Sequence, residues 1–226
     1  MDADVLQRPH LGRLIPVKLS DIVVCLALVL TGPASAAQTY RGFTIDESAV
    51  RKAPNLEALL AATREQIDIV HAVGLPAEIL TFVQSVKFEL VPAGTFKSPT
   101  PGRYMGRGDQ SVQVSAAIVT TGHKPVLLHE LMHAYHDQRI TRGFANPAIL
   151  GYYKKALALS VYAAKSHMMS NEKEYFACAA TAYLFGVTAQ EPFRREKVQD
   201  NQPDFHDYLK RLFGPEAGNY AGSLTR

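Results

Sequence analysis

The chain has 226 residues, 47% of them hydrophobic and 20% charged, with 24 Lys+Arg against 21 Asp+Glu for a formal charge of +3. That is globular composition: it excludes a disordered tail, a collagen-like repeat and a multi-span membrane protein, and the length suits one domain. No basic block stands out, so nucleic acid is not an expected partner.

The first 36 residues have the layout of a secretory signal peptide. Arg8, Arg13 and Lys18 precede an uninterrupted apolar run over 22–30, and the small residues Ala34-Ser35-Ala36-Ala37 follow as an A-x-A cleavage site. The run is shorter than the ~20 residues that span a bilayer, so no stable membrane insertion is expected. The competing reading is a buried N-terminal helix. Cleavage after Ala36 would leave 37–226 as one mature domain, secreted or periplasmic and expected to be monomeric. Of the two cysteines, Cys25 lies in the removed run and Cys178 stays, so no intrachain disulfide can form.

In the mature chain, Leu56, Leu59, Leu60, Ile67 and Val70 recur at helical spacing and predict a helix over 55–73, ended by Gly74 and Pro76. A short helix over 77–83 and a strand over 86–91 follow. Residues 92–108, rich in Pro, Gly, Ser and Thr, read as a loop interrupted by a short strand near Tyr104-Met105. The stretch 111–119 (SVQVSAAIV) reads as a second strand, and Pro125 opens a helix to about 138. Asn146-Pro147 starts a helix through about 164; Ser170 or Asn171 caps another through 185; a last helix spans 203–213. Helices, a small sheet, then more helices indicate one α+β domain.

The chemistry lies in His129-Glu130-Leu131-Met132-His133. Histidines at i and i+4 put both imidazoles on one helix face, a separation that a single Zn²⁺ can bridge. Glu130 is turned about 100° from His129, beside the metal rather than on it. Fewer than about 0.02 chance matches are expected in a chain of this His and Glu content. Leu127, Leu128, Leu131, Met132, Ala134 and Tyr135 form the apolar arc of the same helix. His123 and His136, flanking the motif, read as surface residues.

A hydrolytic zinc needs a third protein ligand. The metzincin spacing fails, because His136 and Arg139 occupy the positions of its glycine and third histidine. Asn171-Glu172-Lys173-Glu174-Tyr175-Phe176-Ala177 offers two carboxylates about 200° apart on a helix. Glu174 shares its face with Ala177, Cys178 and Thr181, small enough for two helices to approach, and is favoured over Glu172.

HELMH followed by NEKEYFA resembles the protease domain of anthrax toxin lethal factor and its bacterial relatives, which are gluzincins. The similarity covers roughly 129–213. It implies a single zincin-like domain: a small mixed sheet, with an edge strand assigned to 111–119, packed on the HExxH helix and followed by several helices. It also implies one Zn²⁺ per chain held by His129, His133 and Glu174, with Glu130 as general base and a protein or peptide substrate added to the edge strand. Where the family carries an oxyanion-supporting tyrosine, this chain has His167, which can donate the same hydrogen bond or be an ordinary loop histidine; Tyr162 is a substitute. Where it carries a supporting glutamate, this chain has Cys178, and Asp137 is a candidate replacement. The expected activity is a secreted zinc endopeptidase. The alternative is a catalytically silent zinc-binding module acting in protein binding.

Overall fold

A computed structural model describes residues 37–97, 100–106 and 108–215. The expected signal peptide and Cys25 lie outside them. The described chain opens with a hairpin, β1 (Ala37–Tyr40) and β2 (Phe43–Asp46), paired antiparallel with Tyr40 opposite Phe43. Its two-residue turn has Arg41 at φ 44° and Gly42 at φ 82°, the left-handed pair that a tight right-twisted hairpin requires. A β-carbon on Gly42 would also meet the flexible end of the Gln84 side chain at 2.6 Å, which would have to swing aside; it is the left-handed φ that calls for glycine.

Helices α1 (Leu56–Ala72) and α2 (Ala77–Ser85) then cross to β3 (Phe88–Val91). α1 buries Leu59, Leu60, Ile67 and Val70, the stripe the spacing predicts. Next come β4 (Gly102–Tyr104) and β5 (Val112–Ser115). The sheet order is β1-β2-β3-β5-β4, with β2, β3 and β5 mutually parallel and the two outer pairs antiparallel. The fold is therefore α+β around a mixed sheet, as expected.

The edge strand is a correction. Residues 111–119 do not form it: β5 is paired on both sides, and the edges are β1 and β4, the latter inside the segment read mainly as loop. β5 also stops at Ser115, whose Oγ accepts the Ala117 N–H at 3.3 Å and starts a 3₁₀ turn over Ala116–Thr120. A local side-chain acceptor thus diverts an apolar run from the ladder.

Five helices follow: α3 (Val126–Gln138), α4 (Pro147–Leu159), α5 (Glu172–Phe185), α6 (Arg195–Asn201) and α7 (Pro203–Phe213). α4 ends earlier than predicted because Ser160 turns left-handed at φ 52°, and Tyr162 behind it enters the core at 5% exposure. α5 is buried on every side from Tyr175 to Phe185. It is the central helix, and α3 packs along it more extensively than any other pair of elements. No helix among the described residues is long and apolar enough to cross a membrane.

Candidate metal centre

The start of the HELMH helix α3 is fixed by α1. Pro125 precedes it and supplies no side-chain cap. Gln66 of α1 does that work instead: its Oε1 accepts the Leu127 N–H at 3.1 Å while its Nε2 donates to the Lys124 carbonyl at 2.8 Å. An otherwise unpaired first-turn N–H is thereby satisfied from a neighbouring helix. Leu127, Leu128, Leu131, Met132 and Ala134 are at most 1% exposed. The opposite side is covered too: β4 lies over Glu130, and α5 lies against the histidines.

α5 is positioned by its cap. Asn171 Oδ1 accepts the N–H groups of Lys173 and Glu174, each at 3.0 Å, the bonding that favours Asn at an N-cap. This fixes the first turn, from which Glu174 points at α3. Ala177, Cys178 and Thr181 follow on that side, all buried, and their small size lets the helices close in.

The structure brings four of the five predicted site residues to one point. Nε2 of His129 and Nε2 of His133 each lie 3.2 Å from Glu174 Oε2, and the two rings stand edge to face at 4.8 Å. His167 Nε2 reaches the same oxygen at 2.9 Å. Glu174, rather than Glu172, is the carboxylate at this point. Burial opposes its ionisation, but the three imidazoles bonded to it prevail and hold the carboxyl well below the usual range. The same contact raises His167 above the ordinary histidine value, against partial burial.

Glu130, the fifth, stands beside the cluster. It is 7% exposed, and its Oε2 accepts the Tyr104 N–H at 2.7 Å. Burial raises its pKa, and the Glu174 charge adds to this; His129 and the Tyr104 N–H pull the other way. Glu130 is thus harder to ionise than an ordinary glutamate. Gly102 makes the approach of β4 possible, since a β-carbon there would sit 2.9 Å from Glu130 Cγ and from Val126 Cγ1. Tyr104 and Gly102 were missed in the sequence because they lie in a Gly- and Pro-rich stretch; the signal was a glycine two residues before a tyrosine.

Other expectations are corrected. His136 is not on the surface: it is fully buried between Phe144 and Phe176. His123 is exposed, as expected, and pairs with Glu65. Asp137 does not support an imidazole but accepts the Tyr104 hydroxyl at 2.9 Å. Tyr162 is buried, with its hydroxyl unbonded, near Tyr175 and Lys197 rather than at the cluster. Cys178 is buried and accepts the Gln190 amide at 3.6 Å. Burial, with the charges of Glu174 and Glu130, pushes its thiol far up, so it is a neutral wall of the cleft.

A cleft of about 600 Å³ opens over His129, Glu130 and His167, between Pro101 on one side and Thr181 and Gln190 on the other. The β4 edge beside it has little backbone to offer a partner, because the Tyr104 N–H is given to Glu130 and the Gly102 carbonyl accepts Thr100 Oγ1 at 2.9 Å.

The donor set fits zinc: two imidazole nitrogens and a carboxylate oxygen, with Glu130 alongside. Two donors held ~2.0–2.1 Å from one ion at a tetrahedral angle are about 3.3 Å apart, against the 3.2 Å found here. No protein-family model and no curated protein matches the chain. Among solved structures it is similar to the Pro-Pro endopeptidase PPEP-2 from Paenibacillus alvei, at 19% identity and a TM-score of 0.48, over 70% of this chain and 92% of that one. At that likeness, function has to be argued from the residues of this chain.

Proposed function

We propose that this chain is a secreted zinc-dependent endopeptidase of the gluzincin type, like the lethal factor-related proteases its motifs resemble. The observation that carries this is the meeting of His129, His133 and Glu174 at one point with a buried glutamate, Glu130, at its side. Those three residues would hold one zinc. When bound, zinc would lower the pKa of a water toward ~7 and polarise the scissile carbonyl.

The remaining work falls to the protein. Tyr104 occupies Glu130 Oε2, which leaves Oε1 to take the proton of the attacking water and pass it to the leaving amine. The raised pKa of Glu130 suits it to both transfers. His167, half-exposed at the cleft, is the donor for the carbonyl oxygen as it gains charge. With so little free backbone on β4, the substrate is gripped by the cleft walls rather than by strand addition.

An intact Glu130 favours an enzyme over a silent zinc module, because a purely structural site has no use for a base. The test is incubation of zinc-loaded chain with a mixture of unstructured proteins, beside Glu130→Gln. Cleavage by the first alone is expected; zinc binding with no cleavage by either supports the binding module. Cleavage after Ala36 during export would leave every described element whole, since β1 starts at Ala37. N-terminal sequencing of exported protein checks this.

A further inference from the structure

Glu174 Oε2 has more partners than an oxygen can serve. Three ring nitrogens approach it, at 3.2, 3.2 and 2.9 Å from His129, His133 and His167. A carboxylate oxygen presents about two lone pairs, and among the described residues all three approaches fall on Oε2. Three donors around one oxygen make a poor hydrogen-bond arrangement. Four donor atoms arrayed around a common cation make a good one. His129, His167 and Glu174 offer ligand atoms all within 4.8 Å of one another, and His133 joins them through its 3.2 Å approach to Glu174 Oε2.

His167 differs from the other two imidazoles in how it is held. His129 and His133 stand inside α3 with side chains 13% and 8% exposed, while the His167 side chain is 50% exposed. It ends the irregular segment after Ser160, just before the 3₁₀ turn over Met168–Ser170. Among the described residues half of its side-chain surface is left uncovered, and it lines the open cleft. It can therefore leave the cluster by side-chain rotation alone, whereas neither helix histidine can.

We propose that His167 is a fourth, removable ligand of the same ion, so that the resting site is closed by three histidines and one glutamate and opens when His167 rotates into the cleft. This rests on the metal site proposed above. A closed resting site protects the ion from chelators and makes substrate entry compete with His167. Once displaced, the ring lies beside the incoming carbonyl, where an oxyanion donor is needed.

X-ray absorption of the zinc-loaded full chain counts imidazoles per zinc, and competition against a chromophoric chelator gives affinity. Three imidazoles are expected in the wild type and two in His167→Ala, with affinity at least tenfold lower. His167→Gln separates a ligand from a mere hydrogen-bond donor, because glutamine keeps the N–H but binds zinc poorly; it should lose affinity as alanine does. Two imidazoles in the wild type, or wild-type affinity in His167→Gln, overturns the fourth ligand and leaves the three-ligand site standing. A wild type that binds no zinc, or a His129→Ala/His133→Ala double variant that keeps it, overturns both.

Discussion

Acid should act on this fold through His136. The ring is fully buried, 4.8 Å from Phe176 and 5.1 Å from Phe144, and among the described residues neither nitrogen has a hydrogen-bond partner. Burial, helped by the charges of His133 and Lys173 and only weakly offset by the Gly143 backbone, lowers its pKa from 6.5 to about 3. Between those values the unfolded chain binds a proton that the folded chain refuses. Stability from this group is complete above about pH 6.5 and falls as the pH drops, by about 1.4 kcal/mol per unit. From about pH 8 to about pH 5 the loss amounts to about 2 kcal/mol. His136→Phe keeps a flat ring and removes the titration, so its loss over that range should be smaller by about 2 kcal/mol. Urea unfolding followed by circular dichroism, with chelator present for both proteins, measures the difference. Absolute stability is not the readout, because deleting an unpaired buried nitrogen helps while the larger ring crowds its neighbours. Parallel pH profiles for the two proteins would refute the buried neutral imidazole.

Glu174→Gln should weaken zinc binding by at least tenfold while Glu172→Gln leaves it nearly intact; calorimetric titration decides, and a larger loss in the Glu172 variant reverses the assignment. Gly102→Ala should keep zinc but slow proteolysis by roughly tenfold or more, since the new methyl sits 2.9 Å from Glu130 Cγ and must push the base aside; an unchanged rate means β4 does not position it. Asn171→Ala removes the acceptor for two N–H groups and should cost about 1 kcal/mol in denaturant unfolding. It should also loosen zinc, because Glu174 sits in the turn that the cap holds.

What could be read from the sequence was what local chemistry decides. The Asn171 cap and the 203–213 helix carry their own signals, and α5 and α7 begin and end as expected. HELMH declared its face by spacing alone. The convergence on Glu174 also followed from angles, because helix periodicity puts it with Ala177 and Cys178. What escaped depended on partners distant in sequence. The β1–β2 hairpin hides in two four-residue strands; a short strand near Tyr104 was legible, but its place at a sheet edge against β5 was not. α6 is seven residues with Arg195 and Val198 buried, too short for a period to show. His136 illustrates the same limit: its neighbours Phe144 and Phe176 come from a turn and a later helix, so nothing near it in the chain announces burial.

Tyr104 ties β4 to α3 at two heights, through its N–H to Glu130 at 2.7 Å and its hydroxyl to Asp137 at 2.9 Å, with Gln138 donating to that hydroxyl at 3.0 Å. The anchor points are about two helical turns apart, so strand and helix form a rigid bracket. Thr100 and Pro101, just before β4, form the rim of the cleft on that side. On the proposed function, a scaffold built this way lets cleft preference drift, or be engineered, by rewriting the rim, while the bracket keeps Glu130 in place. Gly102-Arg103-Tyr104 is the invariant hinge plate in such a scheme, and grafts that stop short of it should retain chemistry while changing what is cut.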